Sequence, residues 1–210
     1  MRLDHVSYVA SHDQISDVVN RIGSQIGTAF IDGGIHPKFG TRNFTAPLLN
    51  GQYIEVVCPM DHPATDATPF GRAVKKKAEE GGGWLSWVFN VEDISIIEDK
   101  FGRKAVEGSR KKPDGTELKW KQIGVLNILE DSQQPFYVQW ISNDHPSSDG
   151  NAYADISEII ISGEQEKILK SLERLDEIFL SKIKVVSPQD QQIGLKSVQF
   201  NLNGSKVIIE

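Results

Sequence analysis

Three stretches of the chain share one order of hydrophobic and polar positions. The first opens with the strand-like run LDHVSYVA at residues 3–10 and closes with NFTAPLL, an Asn-Gly turn and YIEVVC. Between them lies a stripe of apolar residues at helical spacing, made of Ile15, Val18, Val19, Ile22 and Ile26. A strand, a helix and further strands in this order predict a βαβββ unit of about 55 to 60 residues.

The order recurs twice. The second stretch runs from LSWVFNV at residues 85–91, through an Asp-Gly turn at 114–115 and a strand predicted over residues 116–127, to FYVQWI at 136–141. The third has ADISEIIIS at 154–162, a helical stripe that includes Ile168 and Leu175, and two final strand-like runs. The first two stretches both end in Asp-His-Pro, at 61–63 and 144–146, which suggests a duplication.

These patterns predict an α+β protein and a division of the chain into repeated units. We expect a first βαβββ unit at residues 1–62, a second at 84–145 and a third, similar unit at 154–210. Residues 63–83 form the connection, in which the spacing predicts a helix over residues 69–80, ended by three glycines.

Charge and composition narrow the classes of partner. The chain carries 23 basic against 29 acidic residues, a net charge of −6, which would repel nucleic acid. The basic runs at 75–77 and 110–112 are interpreted as solvated faces. Neither a signal peptide nor a run of about 18 apolar residues is seen, so we expect a cytoplasmic protein with no membrane partner. The lone Cys58 is expected to be a buried, inert thiol.

The sequence resembles the glyoxalase-like group of the vicinal-oxygen-chelate superfamily. The resemblance lies in the motifs LDHVSYVA, HPKFGTRN and YIEVV and in the Asp-His-Pro endings. The resemblance implies paired βαβββ units whose curled mixed sheets form a concave ligand cup. It also implies a divalent metal held by the first and last strands of each unit in many members. Such members include lyases, isomerases and dioxygenases, whereas others bind and sequester a small molecule without a metal, so the family alone fixes no reaction.

His5 and Glu55 occupy the two family positions in the first unit. Alternation places His5 on one face of its strand with Ser7, and Glu55 on one face of its strand with Tyr53. An unpaired carboxylate among apolar neighbours is costly, so Glu55 needs a partner. Two interpretations stay open: a catalytic or metal-binding pair, or a structural hydrogen bond between the two side chains.

The second and third units depart from the metal pattern. Trp87 and Gln139 stand where the resemblance would place the second unit's ligands, leaving His5, Glu55 and Gln139 as the candidate metal set. If the first and third units paired instead, Glu158 and Glu210 would join His5 and Glu55.

Other candidate ligand contacts come from a loop and from aromatic residues. The loop residues His36, Arg42 and Asn43 could line a site, with Arg42 receiving an anionic group. Trp87 and Trp120 could form an aromatic floor. His62 and His145, each before a proline, are interpreted as turn residues.

Two functions from different classes therefore remain. The first is a glyoxalase-like enzyme acting on an unidentified small molecule at His5 and Glu55, with metal-assisted lyase, isomerase or dioxygenase chemistry. The second is a metal-free module that binds or sequesters a small molecule in an aromatic-lined cup. Because three units leave one sheet without a partner, we expect the third unit to pack either against the paired units of the same chain or against its copy in a second chain, and of the two we favour the homodimer.

Overall fold

The computed structural model describes residues 1–172, 180–188 and 193–210. Of residue 127 it describes the backbone but not the side chain. Leu175, part of the predicted third helical stripe, lies outside these residues. The first stretch consists of β1 (Arg2–Val9), α1 (Ile15–Ile26), β2 (Ile31–His36), β3 (Thr41–Leu48), a 3-10 turn (Leu49–Gly51) and β4 (Gln52–Pro59).

Two helices connect it to the second stretch: α2 (Pro63–Ala67) and α3 (Pro69–Glu79). The second stretch is β5 (Gly83–Asn90), α4 (Ser95–Phe101), β6 (Val106–Lys111), β7 (Glu117–Ile123), α5 (Val125–Glu130), β8 (Phe136–Trp140) and a 3-10 turn (Pro146–Ser148). The predicted strand over residues 116–127 therefore ends early. Gly124 has φ of +104°, which breaks the strand, and α5 follows it.

The first eight strands close into a barrel in the order β1-β4-β3-β2-β6-β7-β8-β5. Within each half the first strand pairs in parallel with the last, β1 with β4 and β5 with β8. Antiparallel pairs β1–β5 and β2–β6 join the two halves. The fold is thus the predicted α+β arrangement of curled mixed sheets, and it is the first and second stretches that pair.

The seam between β2 and β6 depends on a glycine. Gly34 has φ of +91°, and a Cβ atom there would overlap the carbonyl oxygen of Lys111. Only a residue without a side chain allows the two strands to approach this closely.

The third stretch keeps the predicted order of elements but pairs differently. It consists of β9 (Ala154–Ser162), α6 (Gln165–Ser171), β10 (Ile183–Val186), β11 (Gly194–Leu202) and β12 (Ser205–Ile209). Its sheet order is β10-β9-β11-β12, so the first strand pairs with the second and third strands. In the barrel halves the first strand pairs with the fourth. Hence β9 and β12 are not neighbours, and neither belongs to the barrel.

The third sheet packs on the outside of the barrel. One apolar cluster combines outward residues of the barrel, such as Val6 and Ile54, with α1 and with Ile159 and Phe200 of the third sheet. Trp84 of β5 also donates its indole N–H to the Ile209 carbonyl, 2.9 Å away. The apolar face of this sheet is therefore covered within the chain, and an uncovered sheet no longer argues for a homodimer.

A second apolar cluster fills the barrel beneath α3. It includes Val9 and Val57 from β1 and β4, together with Phe70 and Val74 from α3. This helix therefore closes one end of the barrel. None of the helices in the described part of the chain has the length and apolarity needed to span a membrane.

Candidate functional site

A cavity of about 30 Å³ lies inside the barrel. Every barrel strand except β5 contributes at least one side chain to it. The polar lining residues are His5, His36, Asn43, Tyr53, Glu55, Arg110 and Gln122, and the others are Phe39, Phe70, Trp120, Phe136, Val138 and Trp140. In this state the cavity has room for only one or two water molecules.

A β-bulge at the start of β1 brings two polar side chains to the inner side. The register of β1 against β5 shifts between Leu3 and His5, which makes Asp4 the extra residue. A bulge redirects a side chain that strict alternation would send outward. Asp4 consequently reaches Trp140 inside the barrel, and His5 lines the cavity.

The Asp4 carboxylate is fully buried and saturated with hydrogen bonds. Oδ2 accepts from His5 Nδ1 at 3.0 Å and from Trp140 Nε1 at 3.1 Å, while Oδ1 accepts from His145 Nε2 at 3.1 Å. Burial alone would raise the pKa of Asp4, but the hydrogen bonds from His145 and His5 bring it well below its ordinary value. Asp4 is therefore an anion at neutral pH.

His5 presents a basic nitrogen to the cavity. Its Nδ1 proton is held by Asp4, so in the neutral imidazole Nε2 carries the lone pair. Nε2 makes no hydrogen bond to any residue within the described ranges. The ring stacks on Tyr53 with centroids 4.4 Å apart, which fixes its orientation. This is the arrangement of a carboxylate-oriented general base.

Glu55 faces the same cavity from β4, beside β1. Ser7 Oγ donates to its Oε2 and Asn43 Nδ2 donates to its Oε1, both at 2.8 Å. Burial alone would raise the pKa of Glu55, but the fields of His5 and His36 and these two hydrogen bonds bring it below the ordinary value. Glu55 is thus ionised. Its hydrogen-bond partners are Ser7 and Asn43, so the structural hydrogen bond between His5 and Glu55, one of the two sequence-based interpretations, is not formed.

Arg110 is a buried cation in the cavity wall that the sequence analysis missed. Its side chain is 2% exposed, and Nη1 donates to Asn43 Oδ1 at 3.2 Å. Nε and Nη2 are also buried and make no hydrogen bond to a described residue. Burial lowers the pKa of Arg110, although an arginine keeps its charge at neutral pH. The interpretation of residues 110–112 as a solvated basic run is therefore wrong for Arg110, which alternation along β6 turns inward.

Gly33 makes room for this pair. It lies in the bulged part of β2, and an added Cβ atom would overlap Asn43 Oδ1 and Arg110 Nη1. The hydrogen bond between these side chains thus occupies the space that any larger residue would need.

His36 lies in the cavity wall as a neutral histidine. Its Nδ1 is 2.9 Å from Thr41 Oγ1, and its ring contacts Phe39, Phe70 and Trp120 edge-on. Burial lowers the pKa of His36 to about 4, more than Glu55 raises it. Trp120 lies opposite and donates its indole N–H to Gln122 Oε1 at 2.7 Å.

Five of the predicted site residues thus surround one cavity: His5, Glu55, His36, Asn43 and Trp120. Their roles stay predictions. No site role was predicted from the sequence for Asp4, Tyr53, Arg110, Gln122 and His145. The signal for Tyr53 was the alternation that puts it on the face of Glu55, and the signal for Asp4 was its closeness in sequence to His5. His145 does precede a turn as expected, where its Nδ1 accepts the Ser147 backbone N–H at 3.2 Å.

Other predicted residues lie elsewhere. Trp87 packs in the outer apolar cluster and donates to the Gln133 carbonyl, because it pairs with outward-facing Val6. Gln139 bonds the backbone of Glu92 and Ile94 outside the barrel, since Val138 and Trp140 take the inward positions of β8. The sequence pattern therefore predicted the wrong strand face for both Trp87 and Gln139.

The remaining three residues are also outside the cavity. Arg42 points outward from β3, where it pairs with Asp32 and lies over the Phe44 ring. Glu158 belongs to β9 and Glu210 follows β12, so neither joins His5 and Glu55. The four-ligand set of the first and third units is excluded because these units share no sheet.

The residues present do not fit the divalent metal that the family resemblance implies. Both Glu55 oxygens already accept hydrogen bonds, and His5 has one nitrogen left. The nearby Arg110 cation would repel a second positive charge. Among the residues that the structure describes, no three His, Cys, Asp or Glu side chains are grouped to hold a metal ion.

Comparison with protein families gives one match. The model of the glyoxalase-like domain matches residues 3–176, most of the chain. The chain belongs to the glyoxalase-like family. This confirms the resemblance to the glyoxalase-like group seen in the sequence. None of the curated proteins compared with this glyoxalase-like protein matches it.

Solved structures resemble the glyoxalase-like protein in fold. A hypothetical protein from Staphylococcus aureus is 16% identical, with 98% of this chain and 83% of that chain covered and a TM-score of 0.58. Methylmalonyl-CoA epimerase from Mycobacterium tuberculosis is 12% identical, with coverages of 66% and 85% and a TM-score of 0.43. The Streptomyces coelicolor epimerase is 15% identical, with coverages of 70% and 98% and a TM-score of 0.43. At these identities the likeness concerns the fold alone.

Proposed function

We propose that this glyoxalase-like protein is an enzyme that moves a proton on a small carbonyl compound, with His5 as the base. The observation that carries the proposal is the 3.0 Å contact between His5 Nδ1 and the Asp4 carboxylate, in a ring that lines a cavity whose wall also includes the Arg110 guanidinium. This contact leaves Nε2 as the basic nitrogen of the neutral ring. Metal assistance at His5 and Glu55, which the resemblance implied, is not part of the proposal.

The proposed step is an enolisation. The C–H bond next to a carbonyl group breaks, its proton moves to His5 Nε2, and its electron pair forms an enolate. The negative charge that develops on the enolate oxygen lies near the Arg110 guanidinium, which stabilises it. This electrostatic stabilisation is strong because the site is buried and water does not screen the two charges. Return of a proton from His5 to the same carbon restores the carbonyl compound and, in D2O, exchanges that hydrogen for deuterium. If this carbon also carries a hydroxyl group, transfer of the hydroxyl proton to the enolate oxygen and return of the His5 proton to the former carbonyl carbon complete an isomerisation.

Glu55 and Asp4 have supporting roles in this scheme. A carboxylate that accepts two hydrogen bonds and has a lowered pKa is a weak base. Glu55 is therefore better suited to stabilise the His5 imidazolium, or to accept a hydrogen bond from a hydroxyl group of the ligand. Asp4 stabilises the same imidazolium by accepting the hydrogen bond from its Nδ1–H.

The cavity volume favours a small substrate. A space of about 30 Å³ admits only a few heavy atoms unless lining side chains move. Phe39 and Phe70 lie in the wall on the side that α3 closes, where the turn before β3 and the first turn of α3 meet. Displacement of these two rings would enlarge the cavity without breaking a barrel strand.

Deuterium exchange tests the proposal without knowledge of the natural substrate. The protein is incubated in D2O with 2-oxo acids and α-hydroxyketones of three to five carbons, and loss of the C–H signal is followed by proton NMR. We expect faster exchange for at least one compound, and we expect His5→Gln to slow it about 100-fold or more, since general-base catalysis contributes 10² to 10⁴.

Arg42→Gln is the matched control, because Arg42 is a cation outside the cavity and should leave exchange unchanged. Equal exchange in the His5→Gln variant would overturn the assignment of His5. Binding of a compound without any exchange would favour the second candidate, a metal-free binding module. The specific observation in favour of that candidate is the hydrogen-bonded Glu55 in an aromatic-walled cavity.

A further inference from the structure

Asp4 connects His5 to a second histidine that comes from the other half of the barrel. His145 follows β8 and reaches Asp4 Oδ1 with its Nε2, 3.1 Å away. Its ring lies edge-on to Trp140 and Tyr53, with centroid distances of 5.0 and 5.5 Å. One buried carboxylate therefore receives an imidazole on each of its two oxygens.

The tautomer of His145 follows from its contact with Asp4. Nε2 lies 3.1 Å from Asp4 Oδ1, and an ionised carboxylate can only accept, so Nε2 carries the proton of the neutral ring. Nδ1 then accepts the Ser147 backbone N–H at 3.2 Å and the Ser147 hydroxyl, whose oxygen lies 2.7 Å away. Asp4 Oδ2 is then left to hold the Nδ1 proton of His5. Because the His145 Nε2–H donor fixes Oδ1, the Asp4 carboxylate is oriented with Oδ2 towards His5.

We propose that His145 is a positioning residue for His5: by sharing Asp4, it keeps the neutral His5 ring protonated at Nδ1, with Nε2 free towards the cavity. The inference rests on the proposed function for its purpose, but its geometry is independent of any substrate. It extends the site to a residue far from β1 in sequence and in the opposite half of the chain.

Sharing one carboxylate also limits the charge on the two rings. Protonation of both histidines would place two cations around one anion, so each ring binds a proton less readily when the other is charged. The other charged or titratable groups around this pair are Arg2, His36, Tyr53, Glu55 and Arg110.

The sequence provides a matched control in the first half of the barrel. His62 occupies the same Asp-His-Pro motif, and its Nδ1 accepts the Ala64 backbone N–H at 3.1 Å. It is an exposed helix cap with no contact to Asp4. Asparagine is a good cap, so His145→Asn and His62→Asn both retain the capping group, and only the first removes a donor to Asp4.

Nitrogen-15 NMR of the histidine rings tests the inference. In the unaltered protein we expect neutral His5 to be protonated at Nδ1 and neutral His145 at Nε2. In His145→Asn we expect part of the neutral His5 population to carry its proton on Nε2 instead of Nδ1, because the Asp4 oxygen is no longer held in place. In His62→Asn we expect no change at His5.

A His5 ring protonated at Nε2 in the unaltered protein would overturn the inference, whether or not a variant folds. An unchanged ratio of the two His5 tautomers in folded His145→Asn would overturn it as well. Neither readout involves substrate turnover, so failure of the deuterium exchange experiment and failure of this inference are distinguishable.

Discussion

Gly33→Ala is expected to destabilise the protein by about 3 to 5 kcal/mol, since a broken buried charged interaction costs this much. The added methyl group overlaps both atoms of the Arg110–Asn43 hydrogen bond, so the two side chains must separate. Arg110 would then lose its hydrogen bond to Asn43 and keep the 3.9 Å ion pair between Nη2 and Asp149 Oδ2. Its Nε and Nη2 make no hydrogen bond to a described residue. Glu55 would also lose the orientation of its Asn43 donor.

The measurement is urea unfolding of the variant and of the unaltered protein at neutral pH. Gly115→Ala is the control: Gly115 has φ of +88° and open space around it, so alanine should cost only about 1 to 2 kcal/mol of backbone strain. Gly33 has no positive φ, hence its effect is steric. A loss at Gly33 no larger than that at Gly115 would contradict the buried network.

Acidification from pH 6.5 to pH 4 is expected to remove about 3 kcal/mol of stability through His36 alone, at 1.36 kcal/mol per pH unit. The ordinary pKa of histidine is 6.5, and burial lowers that of His36 to about 4. In this range the unfolded chain binds a proton that the folded protein excludes. The contribution of His36 is therefore complete above pH 6.5 and is lost as pH falls towards 4.

His36→Gln separates this effect from that of the carboxylates. Glutamine does not titrate, so the variant should be less stable at neutral pH but should lose less stability between pH 6.5 and 5. The lowered pKa values of Asp4 and Glu55 act mainly at more acidic pH, because carboxylates in the unfolded chain titrate near pH 4. Parallel stability curves for the two proteins would show that folded His36 takes up a proton.

Much of the first half of the barrel could be predicted from alternation. In β1, alternation correctly placed His5 on the inner face with Ser7, while Val6 packs outward. Alternation also put Leu3 on the face of His5, which is wrong because the bulge at Asp4 turns Leu3 outward. In β4, alternation correctly placed Glu55 on the face of Tyr53. These strands also matched family motifs, so pattern and resemblance agreed there.

Alternation gave the wrong face where both sides of a strand are buried. In β8, Tyr137 packs under the outer helices while Phe136 and Val138 face the cavity, so hydrophobicity does not distinguish the sides. The same ambiguity misplaced Trp87 in β5. A strand buried on both faces carries no period-2 signal for register.

Charge was a misleading guide to exposure in two places. Arg110 stands beside two lysines in sequence, yet its side chain is buried against Asn43. Asp4 was given no role in the site from the sequence, but the bulge in β1 turns its carboxylate inward. Both depend on partners more than 30 residues away, Asn43 for Arg110 and His145 for Asp4, which no local pattern contains.

Elemental analysis of the protein, purified without added metal or chelator, tests most directly whether His5 acts as a free base. The account predicts far less than one divalent ion per chain, and no change in melting temperature or deuterium exchange after treatment with EDTA. One bound ion per chain that disappears in His5→Gln and in Glu55→Gln would contradict it, because His5 Nε2 would then be a metal ligand.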